Sequence, residues 1–207
     1  MNFGFLLFPD AEELDLVGPW EIINVWRKYA GGPERCLTVS QTGGEIRFAK
    51  GMGIVADYSF ENCPPLDYLL IPGGQGTRVE VNNPHLLEFV KKQAASCKEV
   101  MSVCTGSFIL QAAGLLKGKR ATTHWASLER LRELPEVRVT EKRFVRDGNV
   151  WTAAGVSAGI DLALALIAEE AGEEVAGQVQ LYAEYYPDGK RFGEAHLNEQ
   201  APEYLKA

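Results

Sequence analysis

The sequence predicts one doubly wound α/β domain across residues 1–207, a mostly parallel sheet with helices on both of its faces. Three observations predict it. Short apolar runs alternate with helical patterns along the chain. The runs are near-continuous in apolar residues, as strands buried on both faces require. No repeat, low-complexity tract or Gly/Ser/Pro-rich linker divides the sequence. A chain of this length hides roughly 70% of its unfolded surface, enough for a core without disulfides or metals.

The elements follow in order. Phe3–Phe8 is an apolar run and the first strand, and a helical stretch spans Glu13 to Tyr29. Cys36–Gln41 is the next strand. Glu45–Phe48 and Ile54–Ala56, joined through Gly51-Met-Gly53, predict a hairpin. Tyr68–Ile71 is a buried strand ending in Pro72-Gly73-Gly74, and Asn83-Pro84 opens a helix carrying Leu86, Leu87 and Val90. Glu99–Val103 runs into Cys104-Thr105-Gly106, followed by a helix over Phe108–Leu116 that Gly118 closes. Ala121–Thr123 is a short strand, and Trp125–Leu134 a helix stopped by Pro135. Val137–Thr140, Arg143–Arg146 and Val150–Ala154 are strands, the last two joined by an Asp147-Gly148 turn. Apolar Val156–Ala171 is a helix, and Glu173 to Tyr185 a second.

Composition narrows the function. Against 28 Asp+Glu there are 21 Lys+Arg, a net charge of −7 with no segregated basic face, so nucleic acid is not an expected partner. The N-terminus lacks a basic segment and breaks at Pro9, which predicts neither a signal peptide nor a membrane span. Four cysteines without a C-x-x-C spacing predict free thiols in a reducing cytoplasm. Three scattered histidines make a metal centre an unexpected feature, and no cofactor is called for.

In sheets of this kind chemistry is sought just beyond the carboxyl ends of strands. Three of those ends are distinctive. Cys104 sits between a strand and a helix, with small Ser102 two residues before it and Gly106 two after. That is nucleophile-elbow spacing, and it places the sulfur over a helix N-terminus that favours a thiolate. The plain alternative is a buried apolar cysteine. Gly73, Gly74 and Gly76 follow another strand. They form a tight turn, or else offer backbone N–H groups to developing negative charge. Asp15 lies in the apolar run Leu-Asp15-Leu-Val-Gly-Pro19. It is either a helix cap or a carboxyl group drawn into low dielectric and kept as an acid. His124 follows a short strand and is able to approach the same pocket, whereas His85 and His196 are expected at the surface. Thr stands at position 105, so no histidine adjoins the cysteine, and no H-x-E follows to complete a Cys–His–Glu triad.

Taken together, Leu-Asp15-Leu-Val-Gly-Pro, Ile71-Pro-Gly-Gly74, Ser102-Val-Cys104-Thr105-Gly106, Ala121-Thr-Thr-His124-Trp125 and Gly155-Val-Ser-Ala-Gly-Ile-Asp161 resemble the ThiJ/PfpI superfamily. Within it the branch with isonitrile hydratases and the amidase-like domains of AraC-type regulators is most similar. The resemblance runs from about residue 3 to 187. It implies a flavodoxin-like, class I glutamine amidotransferase-like sandwich that pairs as a homodimer and acts on a small molecule. It further implies Cys104 as nucleophile, Asp15 as partner carboxyl, Thr105 as a hydrogen-bonding neighbour, and Gly73 and Gly74 as backbone donors. Val156 would line the substrate pocket, with Gly155 and His124 beside it. Protease-like members carry Cys-His and a Glu, which this sequence lacks. The segment from Glu184 to Gly193 is more polar than the ending associated with hydratases.

The expected reaction is addition of water to an isocyanide to give an N-substituted formamide, through a thioimidate on Cys104 with Asp15 as acid and base. Two alternatives stand beside it. One is a redox-responsive or ligand-sensing protein without hydratase activity. The other is a glyoxalase or deglycase, disfavoured by the absent Glu and by Thr105. The roughly 20 residues after the family-like region are too few for a helix-turn-helix domain.

Overall fold

The computed structural model describes residues 1–206. Strand β1 (Asn2–Leu6) leads into α1 (Glu13–Tyr29) and β2 (Arg35–Ser40), and then the hairpin β3 (Gly44–Arg47) and β4 (Gly53–Ala56). Strands β5 (Tyr58–Ser59) and β6 (Tyr68–Ile71) precede α2 (Thr77–Glu80) and α3 (Pro84–Ala94). After β7 (Glu99–Val103) come α4 (Gly106–Ala112), β8 (Arg120–Ala121), a 3-10 turn at Trp125–Ser127 and α5 (Leu128–Arg132). Strands β9 (Arg138–Val139), β10 (Phe144–Asp147) and β11 (Val150–Ala153) lead to α6 (Ala158–Ala171) and α7 (Glu173–Tyr182). A 3-10 turn at Ala195–Leu197 and α8 (Glu203–Lys206) end the described chain.

Seven strands form the main sheet in the order β10-β11-β7-β6-β1-β2-β5. Every pairing is parallel except that of β10 with β11. Helices α1, α6 and α7 pack together on one face, and α2, α3 and α4 on the other. The strands are apolar because both faces are covered. Phe3 and Phe5 stack at 4.7 Å between centroids, Phe3 meets Tyr68 at 5.3 Å, and Leu69, Leu70 and Ile71 have no exposed surface.

The chain order reverses at β1, which lies between β2 and β6. Such a switch point opens a crevice at the carboxyl ends of the strands, because the following connections leave toward opposite faces. Asp15, Gly73, Cys104 and Val156 all follow strands that end along this edge. The loops after β1 and β6 are stitched together there: Glu12 N–H donates to Gly73 O (2.9 Å), and Gly76 N–H donates to Asp10 O (3.0 Å).

Several predicted elements shift. The helix expected over Phe108–Leu116 begins at Gly106, directly off the elbow, and ends at Ala112 before left-handed Gly114. The stretch Ala121–Thr123 leaves the main sheet; β8 pairs in parallel with β9 in a separate ribbon. The helix expected from Val156 starts at Ala158, because Val156 itself has a positive φ of 40°. Strand β5 and helix α2 are too short for their apolar periodicity to stand out.

Candidate active site

Cys104 occupies a left-handed turn with φ 55°, a conformation uncommon for a residue with a side chain. The surroundings hold it there. Its N–H reaches Ala153 O (3.1 Å) and Ala154 O (2.9 Å) at the end of β11. Its carbonyl accepts from the hydroxyls of Ser107 (3.2 Å) and Thr123 (2.9 Å). Gly106 closes the turn against the Ile71 carbonyl, leaving no room for a Cβ. The small residue expected two positions after Cys104 is therefore there for a steric reason.

Asp15 lies in the first turn of α1 and has no exposed surface. The residue at the cap position is Glu12, so the capping reading of Asp15 gives way to that of a buried acid. Its Oδ2 accepts from Gly73 N–H at 2.7 Å, while Oδ1 is buried and without a partner among the described residues. Burial is the largest influence on its acidity and pushes it up to about 8, well above the usual carboxylate range. The Gly73 N–H opposes this shift, as does the neighbouring Cys104 thiol. Asp15 is thus a protonated carboxyl group beside the sulfur at neutral pH.

The same burial corrects one expectation. A helix N-terminus under Cys104 was expected to favour the thiolate, but the thiol is pushed up to about 12, first by desolvation and then by the neighbouring Asp15 charge. The N–H groups of Thr105 and Val156 and the Thr105 hydroxyl favour the thiolate without overcoming that cost. While Asp15 holds its proton its opposing charge is absent, so the two groups titrate as a pair.

A second correction concerns the backbone donors. Gly73 N–H is occupied by Asp15, and Gly74 N–H donates to Thr105 Oγ1 at 3.0 Å. These glycines orient the acid and the threonine instead of presenting free donors. The N–H groups that face the sulfur belong to Thr105 and Val156. Val156 enters the site through its backbone, which its positive φ turns toward Cys104, and this is invisible to a reading of side-chain types. Thr77 Oγ1 donates to Gly74 O at 2.8 Å and lies 3.2 Å from Thr105 Oγ1, extending the chain of hydroxyls. No sequence pattern singled out Thr77.

His124 does reach this region. A Cβ on Gly155 would lie 2.5 Å from His124 Cδ2, so glycine is what lets the ring close over residue 155. Its Nδ1 accepts from Ala126 N–H at 3.2 Å, which leaves Nε2 to carry the proton of the neutral ring. Partial burial lowers its pKa, favouring that neutral form. Trp125 extends from here along the wall of a neighbouring cavity, whereas Trp20 packs edge-on against Phe5 in the core. Tyr185 lies behind the site, its hydroxyl 3.3 Å from Asp161. Cys36, Cys63 and Cys97 are free thiols with raised pKa values, each driven up mainly by burial. Among the described residues no three His, Cys, Asp or Glu side chains gather in a metal-binding group, and no helix is long and apolar enough to cross a membrane.

Comparison with known proteins agrees with the geometry. The DJ-1/PfpI family profile matches residues 2–169. The isonitrile hydratase of Pseudomonas putida is 42% identical over 188 residues, covering 90% of this chain and 79% of that protein. The HTH-type transcriptional regulator CdhR of Pseudomonas aeruginosa is 33% identical over 86% of this chain, which spans 53% of the regulator. The crystal structure of a ThiJ/PfpI family protein from Pseudomonas syringae superposes with a TM-score of 0.86 at 35% identity, over 99% of this chain and 82% of that one. Its likeness extends to the flavodoxin-like, amidotransferase-like sandwich.

Proposed function

The chain belongs to the DJ-1/PfpI family, and from that membership and its Cys104–Asp15 pair we propose that it hydrates organic isocyanides to N-substituted formamides. One observation carries the reading. A buried carboxyl group with its pKa raised to about 8 adjoins the thiol, takes Gly73 N–H on Oδ2 and keeps Oδ1 without a partner among the described residues. Isocyanide hydration needs this combination, since the terminal carbon must gain both a nucleophile and a proton.

The steps balance as follows. Cys104 Sγ bonds to the terminal carbon while that carbon takes the Asp15 proton; Asp15 recovers a proton from the thiol, so the net change is addition of S–H across carbon. The product is a thioimidate. In the second half Asp15, protonated again, passes its proton to the thioimidate nitrogen as water attacks the same carbon, and takes a proton from that water in return. The C–S bond then breaks as the remaining hydroxyl proton passes by way of Asp15 to the sulfur, and the N-substituted formamide leaves with the thiol restored. The Thr105 and Val156 N–H groups favour the sulfur as it becomes anionic in each half-reaction. No cofactor takes part in this scheme, and two copies of the chain are expected to pair in solution, which sedimentation velocity tests.

The deciding experiment is formamide production from an aryl isocyanide by the intact protein and by Cys104→Ala. Turnover that disappears in the variant supports the proposal, and equal rates would overturn it. A ligand-sensing role is the second reading, favoured by likeness to regulators such as CdhR, about half of whose length the chain spans. Binding of an isocyanide or formamide without turnover would favour that role.

A further inference from the structure

The polar segment after α7 folds back toward the site and encloses a cavity of about 610 Å³. Trp125 and Arg143 form its inner wall, and Lys190, Arg191, His196 and Tyr204 come from the folded-back segment. No Asp or Glu lines it, in a chain whose net charge is −7. The concentration of cationic side chains against the charge of the whole protein is the first observation.

The second is how those groups are held. Arg143 is fixed from behind by Asp161 (2.7 Å) and by Ser157 Oγ (3.0 Å), through Nε and Nη2, which leaves Nη1 without a partner among the described residues. Lys190 Nζ rests over the Phe192 ring, 5.2 Å from its centroid, and not on a carboxylate. Groups arranged in this way retain donors for an added anion, and an Arg already anchored loses little freedom on binding one.

The third is continuity with the reacting groups. Trp125 follows His124, whose ring closes on Gly155, and Arg143 grips Ser157, next to the Val156 whose N–H faces the sulfur. Arg143 O also accepts from Ala154 N–H at 2.9 Å, beside the elbow. The cavity walls are thus joined through neighbouring residues to the His124 side of the site, while Cys104, Asp15 and Thr105 lie outside the cavity lining.

We propose that this cavity selects the substrate, and that the preferred isocyanide carries a carboxylate on a flat, apolar body. The carboxylate engages Arg143, Lys190 and Arg191, while Trp125 and Tyr204 flank the body and the isocyanide carbon points to Cys104. The product is then an N-formyl amino carboxylate. This inference deepens the hydratase reading and rests on it for the reaction, although not for the binding.

The test therefore has two arms. In the first, kcat/KM is compared for 4-isocyanobenzoate and its methyl ester, with the intact protein and with a Lys190→Gln/Arg191→Gln double variant. The acid should be preferred by roughly tenfold or more, the scale of one charge-assisted hydrogen bond, and the double variant should lose most of that preference. Equal use of acid and ester overturns the inference and leaves the hydratase reading intact. In the second arm, calorimetry compares 4-formamidobenzoate with its methyl ester on the intact protein. Tighter binding of the acid, weakened by salt and by the double substitution, supports the carboxylate site even where neither isocyanide is turned over. Equal or undetectable binding of both, without an acid preference in turnover, overturns it.

Discussion

Gly73 N–H donates to Asp15 Oδ2 at 2.7 Å, so one carboxyl oxygen is spoken for and the other faces the site alone. This bond leaves Oδ1 as the carboxyl oxygen open to a proton exchange under the proposed mechanism. It also ties the strand-end loop after β6 to the first turn of α1.

The pH dependence follows from the raised acidity of Asp15. With a pKa of about 8, the carboxyl is protonated at neutral pH and loses its proton above. For a neutral isocyanide, kcat/KM should hold steady near pH 7 and fall as pH rises through about 8. A profile that instead climbs through that range would show that the thiolate, and not the acid, limits the rate.

Replacing Asp15 by Asn should move three observables in different directions. Turnover should drop by at least ~10²-fold, the scale of a positioned acid. Stability near neutral pH should rise: the folded state holds a proton that the unfolded chain releases above about 3.8, so the native acid loses stability as pH climbs from there toward 8. A gain of ~1 kcal/mol or more, or about 2–4 °C in Tm, is expected at pH 7 and little at pH 4. Alkylation of Cys104 by iodoacetamide at pH 8 should quicken, because the charge that opposes its ionisation is gone. Slower alkylation together with lost stability would assign Asp15 a purely structural part.

Thr105→Val removes the acceptor for Gly74 N–H and a hydroxyl that faces the sulfur. A loss of about tenfold in kcat/KM is expected, with Thr105→Ser keeping most of the activity. Serine as poor as valine would mean that packing, not the hydroxyl, matters at this position.

Val156 is a β-branched residue at φ 40°, a backbone geometry that costs such residues on the order of 1 kcal/mol or more. Val156→Gly relieves the strain, and the side chain is only half buried, so thermal stability should be unchanged or higher. The loosened N–H should nevertheless lower kcat. Clear destabilisation in a melting experiment would refute the view that the turn stores strain for the site.

These residues also mark how much the sequence discloses. Tyr68–Ile71 and Glu99–Val103 were legible to the residue because strands buried on both faces are mostly apolar and bounded by turn formers. Helix α1 was equally plain, its span set by its pattern from Glu13 to Tyr29. Cys104 was legible because an elbow needs small residues at fixed offsets. The occupation of the Gly73 and Gly74 N–H groups was not, since it depends on partners 58 and 31 residues away. The turn of Val156 was hidden for a related reason: valine has no local preference for that conformation, and only the tertiary fold imposes it. The short strand read at Ala121–Thr123 does exist at Arg120–Ala121, but which sheet receives a two-residue strand is not written in its sequence.

Four hydrogen bonds pin the backbone of Cys104, two on its N–H and two on its carbonyl. A nucleophile clamped this way has no slack with which to chase a differently shaped substrate. Efforts to redirect the protein toward bulkier molecules are therefore better aimed at Trp125 and the segment that carries Lys190 and Arg191. Replacing Ser107 or Thr123 would instead remove a hydroxyl that holds the Cys104 carbonyl.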